Sequence, residues 1–144
     1  MRHLPDISVW LALSLPAHMH HPVAMTWFDG TPHLHACFCR STQHGLLRLL
    51  TTAAVTGAYK QAPLSNREAW SKFSVIEDDD RIGFADEPGD VITSWKMLSD
   101  TRTASPKLWM DAYLAAFAMA GGYRLVTTDK AFKQFKGLDL LLLA

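Results

Sequence analysis

The sequence contains only two cysteines, Cys37 and Cys39, which excludes the disulfide framework that stabilises small secreted domains. Two residues apart on a strand they point to the same face, where the geometry does not favour a disulfide. We therefore predict buried thiols in a protein of the reducing cytoplasm. A zinc site that joins them to His18, His20 and His21 is disfavoured, because structural zinc sites use tighter, paired spacing, and exposed loop histidines are the simpler interpretation.

The chain also lacks an excess of charge and a long apolar run. Fourteen Lys and Arg residues balance fourteen Asp and Glu residues, which argues against coating of nucleic acid by charge alone but allows a local basic rim. No stretch is long enough to span a bilayer. Ile7–Leu15 follows Arg2 as in a signal peptide, but the run is short and Asp6 precedes it, so we predict neither membrane association nor secretion.

Hydrophobic residues make up 49% of the 144 positions, enough for one domain over residues 1–144. Strands are predicted at 2–6, 33–39, 81–85, 123–127 and 138–143. Helices are predicted at 8–15, at 21–29, from a cap at Ser41 or Thr42 to Gly57, from Ser65, from Pro88, and from Ser105 with Pro106 at its first position. The alternation predicts an α/β fold with a mainly parallel sheet of about five strands, and the apolar last strand should be covered on both faces.

Three aspartates interrupt apolar segments: Asp6 in HLPDISVWLAL, Asp111 in SPKLWMDAYLAAFA and Asp129 in YRLVTTDKAF. Asp6 and Asp129 end predicted strands, and open parallel sheets bind ligands beyond the carboxyl ends of their strands. Asp111 is predicted in mid-helix on the stripe of Leu114 and Ala118, where a polar side chain is costly. We expect all three at the same end of one sheet.

Each aspartate has a simpler interpretation. Asp6 and Asp129 could each cap a helix, worth about 1 kcal/mol, and a hydrogen bond in the core could satisfy Asp111. If the three carboxylates converge, capping and hydrogen bonding no longer explain them, because two carboxylates about 4 Å apart repel by roughly 4 kcal/mol at an effective dielectric constant of about 20. Mg²⁺, or Mn²⁺ in its place, would remove the repulsion and could activate water against a phosphate. The pattern therefore favours a small metal-dependent nuclease.

At these residues the chain resembles PIN-domain proteins, and more closely the VapC toxins of bacterial VapBC toxin–antitoxin pairs. The resemblance spans nearly the whole chain in order. The matching segments are LPDISVWLAL, HACFCRSTQHGLLRLLT, TASPKLWMDAYLAAFA, YRLVTTDKAF and GLDLLLL. It implies a PIN-like three-layer α/β/α fold and a Mg²⁺-dependent endoribonuclease that cuts structured RNA, such as a tRNA or an rRNA loop, and leaves a 5′-phosphate.

The resemblance also implies the residues of the site. Its metal-binding acids match Asp6, Asp111 and Asp129. The family's further acid, a Glu early in the helix after the second strand, falls on Gln43, which we expect to assist by orienting water. The usual Asn after the first acid is Ser8, which can still donate a hydrogen bond. With one charge fewer, a second metal should bind weakly, and the choice between one metal and two stays open.

Partners follow from the same resemblance: a VapB-like antitoxin that covers the site, an RNA substrate and a homodimer. Arg40, Arg48 and Lys107 are candidate contacts to RNA phosphates, although a solvated helix face explains them equally well. The segments 42–56 and 65–75 are expected to form the antitoxin groove. A hydrophobic docking surface of Leu64, Trp70 and Phe73 would fit this groove, and core packing is the alternative.

The five tryptophans are expected to be buried in the core or at an interface, although Trp109 could instead stack on a base. Two other functions compete with the toxin. The first is a PIN-fold module, weakened by Gln43, that binds RNA or protein without cutting. The second is a structure-specific DNA nuclease, against which the balanced charge argues. The sequence names neither the RNA target nor the antitoxin.

Overall fold

The computed structural model describes all residues, Met1–Ala144, and has an α/β architecture. The strands are β1 His3–Pro5, β2 Ala36–Phe38, β3 Ile82–Phe84, β4 Arg124–Thr127 and β5 Leu140–Leu142. The helices are α1 Ile7–Ser14, α2 His21–Asp29, α3 Arg40–Leu50, α4 Ala53–Ala58, α5 Asn66–Glu77, α6 Val91–Ser99 and α7 Leu108–Gly121. A short 3₁₀ helix, Lys130–Gln134, follows β4. Every strand is present but shorter than the sequence predicts.

All neighbouring strands are parallel, in the order β3-β2-β1-β4-β5. The chain runs outward from β1 to β3 and then crosses to β4 on the other side of β1. The strand order therefore reverses between β1 and β4, and such a switch point opens a crevice at the carboxyl ends of the strands. Asp6 follows β1 and Asp129 lies two residues after β4, so the fold carries both to this crevice.

Both faces of the sheet are covered, because side chains of a strand alternate between its faces. Leu4 and Leu125 pack with α6 and α7 in one core cluster. Phe38 packs with α1, α3 and α5 in a second cluster, and Val126 packs with α1 and α2 in a third. The predicted three-layer α/β/α arrangement is confirmed.

The helix predicted from Ser41 or Thr42 to Gly57 begins earlier and is broken in two. It starts at Arg40 with Cys39 at the cap, and it stops at Leu50 before α4. The break falls at Thr51 and Thr52, whose hydroxyls donate to the carbonyls of Leu47 at 3.1 Å and Arg48 at 2.6 Å. Such side-chain bonds compete with the helical backbone and end α3.

Two prolines predicted to start helices instead stand in turns. The Pro88 carbonyl accepts a hydrogen bond from the Val91 amide at 3.2 Å, and the Ser105 carbonyl accepts one from Leu108 at 3.0 Å. The helices begin only afterwards, so α6 starts at Val91 and α7 at Leu108. Asp111 therefore lies in the first turn of α7 rather than in mid-helix, and there the helix dipole favours a negative charge.

Burial differs from the prediction at several residues. The last strand is only half-buried, because β5 pairs with β4 alone and forms the edge of the sheet. Trp70 and Trp109 are 55% and 59% exposed in the single chain, so neither lies in the core. His18 is buried against Tyr59, with ring centroids 4.4 Å apart, rather than exposed in a loop.

The prediction that both cysteines are buried thiols agrees with the structure. Cys37 and Cys39 are buried free thiols that pack into the same core cluster. None of the seven helices has both the length and the apolar character that a membrane span requires.

Candidate active site

Asp6 is fixed at the start of α1 by three donors. Its Oδ1 accepts hydrogen bonds from the Val9 amide at 3.2 Å and the Ser8 hydroxyl at 2.5 Å. Its Oδ2 accepts one from the Thr127 hydroxyl of the neighbouring strand at 2.6 Å. The side chain is only 5% exposed. The helix cap expected for Asp6 is therefore real, and it leaves the carboxylate rigidly placed at the switch point.

Thr127 links Asp6 to Asp129. The hydroxyl that donates to Asp6 also accepts a hydrogen bond from the Asp129 amide at 2.9 Å. Asp129 is exposed, and its Oδ1 caps the 3₁₀ helix by accepting from the Ala131 amide at 2.9 Å. Its second oxygen carries no hydrogen bond from the protein. One threonine at the end of β4 therefore positions two of the three predicted acids.

Asp111 approaches the crevice from α7 and receives no hydrogen bond from the protein. Burial, followed by the charges of Asp129 and Asp6, raises the pKa of Asp111 from 3.8 to about 6. The pKa of Asp6 is also raised, chiefly by burial, although its hydrogen bonds oppose the shift and Asp129 adds to it. The three carboxylates therefore lie within electrostatic range of one another.

The carboxylates do not form a closed metal cage. No group of three His, Cys, Asp or Glu side chains converges closely enough to hold an ion by itself. Mg²⁺ does not need such a group, because it binds through one or two carboxylates and keeps several waters. Asp111 is half-buried and accepts no hydrogen bond, so its carboxylate oxygens are available as metal ligands. Asp129 lines the same cavity and has one oxygen that accepts no hydrogen bond. The acids present therefore fit a Mg²⁺ site.

Asp111 and Asp129 line an open cavity of about 520 Å³, which we call the carboxylate cavity. Lys107 and Ser105 line the same cavity. Lys107 is the only basic residue of that wall, so it is placed to meet a phosphate that approaches the carboxylates.

A second cavity, of about 580 Å³, lies between α3 and α7. Arg40, Arg48 and His44 line it, and we call it the arginine groove. Its wall includes Ile7 and Met110, the sequence neighbours of Asp6 and Asp111. The groove therefore brings two of the three predicted RNA-binding residues beside the crevice.

Gln43 does not join the aspartates. It lines a separate cavity of about 400 Å³ between α3 and β3, and its side-chain oxygen accepts a hydrogen bond from Arg40. Gly45, two residues later, faces Ile7 of α1. Residues two apart on a helix point to opposite sides, so the turn that brings Gly45 towards α1 directs Gln43 away from the site.

Sequence reasoning missed Thr127 and the pair formed by Tyr113 and Glu87. The Tyr113 hydroxyl donates to Glu87 at 2.5 Å, and both residues line the arginine groove. The hydrogen bond to Tyr113 fixes the Glu87 carboxylate on the α7 side of the groove, which limits how far its negative charge offsets the positive charges of the arginines. Only Thr127 left a signal in the sequence, as a hydroxyl two residues before an acid at the end of a strand.

Two curated relatives identify the family. Ribonuclease VapC41 of Mycobacterium tuberculosis is 49% identical over 147 aligned residues, which cover 98% of each chain. Ribonuclease VapC44 of the same organism is 30% identical over 131 residues, which cover 91% of this chain and 88% of that protein. No family model matches the sequence.

Solved structures share the fold at low identity. VapBC2 of Rickettsia felis, bound to a promoter DNA fragment, superposes with a TM-score of 0.65 at 15% identity, covering 100% of both chains. VapC20 of Mycobacterium tuberculosis, a sarcin–ricin loop cleaving toxin, gives 0.64 at 17% identity, covering 95% of this chain and 97% of that one. VapBC-1 of Haemophilus influenzae gives 0.64 at 14% identity, covering 99% and 98%.

Proposed function

The chain belongs to the family of VapC ribonucleases, and we propose that it is an Mg²⁺-dependent endoribonuclease toxin that cuts structured RNA at the crevice of Asp6, Asp111 and Asp129. One observation carries the assignment of the site. Asp111 stands beside two other carboxylates without a hydrogen-bond donor of its own, and its pKa is raised to about 6. A carboxylate kept in such a place is typical of a functional site rather than a structural one.

The carboxylates would share the work unequally. Asp6 holds its position through Ser8 and Thr127, so it supplies a fixed negative charge at the switch point. Asp111 and Asp129 both line the carboxylate cavity, have oxygens that accept no hydrogen bond, and would hold the ion. Bound Mg²⁺ would offset two of the three negative charges, polarise the scissile phosphate and lower the pKa of the attacking water. Mn²⁺ has the same oxygen-ligand chemistry and should substitute for it.

Basic residues on both sides would hold the RNA backbone. Lys107 faces the carboxylate cavity, and Arg40 and Arg48 face the arginine groove. Arg40 is held in place, because its guanidinium lies 4.9 Å over the Phe84 ring and donates to Gln43. We infer that Gln43 acts indirectly, by orienting Arg40, and that its predicted role beside the metal is the less supported alternative.

We propose a VapB-like antitoxin as the protein partner. We also propose that the chain acts in the cytoplasm and that it forms a homodimer. Solved structural neighbours include VapBC complexes. The predicted docking residues are divided, because Phe73 lies in the core whereas Trp70 is exposed in a groove with Leu47 and Arg48. Co-purification with a co-expressed VapB-like antitoxin, with and without Trp70→Ala, tests this surface. Light scattering of the free chain tests the homodimer.

Cleavage of total RNA by the purified chain, free of antitoxin, tests the proposed function. Defined cuts are expected with Mg²⁺, and they should vanish with EDTA, with Asp6→Asn and with Asp111→Asn. Added duplex DNA should not compete. Absence of cuts from folded wild type would favour the RNA- or protein-binding module, and cuts that survive both substitutions would place the chemistry elsewhere.

A further inference from the structure

A further cavity, of about 690 Å³, opens between α6 and the segment that precedes α7. Trp95, Trp109 and Ile92 form its apolar part, and we call it the tryptophan groove. Trp109 is 59% exposed, although an indole is among the side chains that gain most from burial. The size is that of a small-molecule site, and neither the metal nor the phosphate contacts proposed above account for it.

We propose that the tryptophan groove binds an unpaired nucleobase of the RNA next to the scissile phosphate, an inference that rests on the proposed function. The first argument is continuity. Thr101, Ser105, Pro106 and Leu108 line both this groove and the carboxylate cavity. A nucleotide whose phosphate lies at Asp111 therefore reaches the groove without leaving the surface.

The second argument is charge. The tryptophan groove contains one cation, Lys96, and one anion, Asp100, whereas the arginine groove contains Arg40 and Arg48 against Glu87. A site with balanced charge does not suit a phosphate, but it suits the uncharged edge of a base. Base edges combine hydrogen-bond donors and acceptors, which both of these side chains can meet.

The third argument is the arrangement of the rings. Trp95 and Trp109 meet edge to face, with centroids 6.3 Å apart and planes at 80°. The Trp95 indole donates to the Trp109 carbonyl at 2.9 Å, which fixes the start of α7 two residues before Asp111. Trp109 is thus held by its backbone while its side chain stays exposed, an arrangement that suits stacking of a base.

The groove also presents hydroxyl oxygens as acceptors. The Ser99 hydroxyl donates to the Trp95 carbonyl at 2.7 Å, and the Thr101 hydroxyl donates to the Thr103 carbonyl at 3.0 Å. Each oxygen retains lone pairs that can accept from an amino group of a base.

A protein partner would need about 800 Å² of surface on each side, which a single groove of this size does not supply.

Binding of short oligonucleotides in EDTA tests the inference without requiring cleavage. The probes are fluorescently labelled single-stranded oligoadenylate and the matching abasic oligomer, followed by anisotropy. Trp109→Ala should weaken binding of oligoadenylate by about tenfold and binding of the abasic oligomer by less than about twofold. Trp109→Phe keeps a stacking ring and should restore most of the affinity.

Met19→Ala is the control, because Met19 is an exposed apolar side chain that lines none of the cavities described above. It should not change the preference for bases. Equal losses on both probes, no loss on either, or a change from dimer to monomer caused by Trp109→Ala without a base-dependent loss would overturn the inference. If base-dependent binding persists in a chain that cuts no RNA, only the proposed function fails; if RNA is cut without base dependence, only the subsite fails.

Discussion

The strand side and the helix side of the crevice hold their carboxylates in opposite ways. On the strand side, Asp6 is 5% exposed and accepts three hydrogen bonds. On the helix side, Asp111 accepts none and its pKa is raised to about 6. The first carboxylate is part of the architecture as well as of the site, whereas the second has no structural role that its contacts reveal. The difference indicates that Asp6 stabilises the fold as well as forming the site, whereas Asp111 is explained by function alone.

The largest expected effect comes from removing each carboxylate in turn. Asp6→Ala and Asp111→Ala should both lower RNA cleavage by about a thousandfold or more, because both remove negative charge from the metal site. Their stabilities should differ. Asp6→Ala loses a helix cap and should cost about 1–2 kcal/mol, whereas Asp111→Ala should not destabilise the metal-free chain at neutral pH, because it removes a carboxylate whose pKa is raised by burial and by its neighbours. Urea denaturation in EDTA measures the free energy of unfolding of both variants. Equal losses of stability would contradict the contrast between Asp6 and Asp111.

A substitution at Thr127 should weaken the strand side alone. Thr127→Val keeps the shape but removes the hydroxyl that bonds to both Asp6 and Asp129. We expect a loss of about 1–2 kcal/mol of stability and about tenfold lower kcat, since the two acids lose their common support. Thr56→Val removes the hydroxyl of another buried threonine, which lies in α4, and should leave kcat unchanged. A purely structural role for Thr127 predicts no difference in kcat between the two.

The helix side should respond to loss of a phosphate contact. Arg48→Ala should raise KM by about three- to tenfold and reduce the slope of log affinity against log salt by about 1, because one cation leaves the arginine groove. Arg67→Ala, which removes an exposed arginine outside this groove, is the control. Cleavage assays at several salt concentrations measure both, and identical slopes for the two variants would exclude the groove from RNA binding.

The pH dependence of stability tests the electrostatics of the helix side. Burial and the neighbouring carboxylates raise the pKa of Asp111 from its ordinary value of 3.8 to about 6 in the folded chain. A raised pKa stabilises the fold at low pH, and this contribution is lost as pH rises from about 4 to about 6. Metal-free Asp111→Asn should therefore be more stable than wild type by about 1 kcal/mol at neutral pH, after allowance for solvent screening, and equal to it below about pH 4. A difference that is constant with pH would contradict the assignment.

The smallest effect is expected at Gln43. Gln43→Glu should change cleavage by less than about threefold, because the new carboxylate would pair with Arg40 instead of joining the three aspartates. A large gain in cleavage would mean that the wild type is the weakened binding module and that Gln43 reaches the site after all.

Much of the fold was predictable because its signals are local. The alternation of apolar strands with capped helices indicated the parallel sheet and its two helical layers, and the capping box of Ser65 and Glu68 marks the start of α5 as predicted. The sequence also brought Asp6 and Asp129 to the same sheet edge. These predictions depend on spacing along the chain and on the rule for strand ends, which tertiary contacts do not override.

The features that the sequence did not indicate depend on contacts between distant residues. Gln43 occupies the expected position in the sequence, but the direction of its side chain depends on where α3 begins and on how Gly45 packs against Ile7. The exposure of Trp109 depends on how Trp95 holds the start of α7. Neither is visible in the spacing of apolar residues, which records that a side chain is hydrophobic but not whether a partner covers it.

Titration of the metal-free chain with Mn²⁺, with the free ion followed by electron paramagnetic resonance near neutral pH, tests the central claim most directly. Wild type should bind Mn²⁺, Asp111→Asn should lose at least about tenfold in affinity because a ligand oxygen and its charge are removed, and Gln43→Ala should bind as wild type does. Equal binding by wild type and Asp111→Asn, with both chains folded, would contradict the assignment of the metal site to these aspartates.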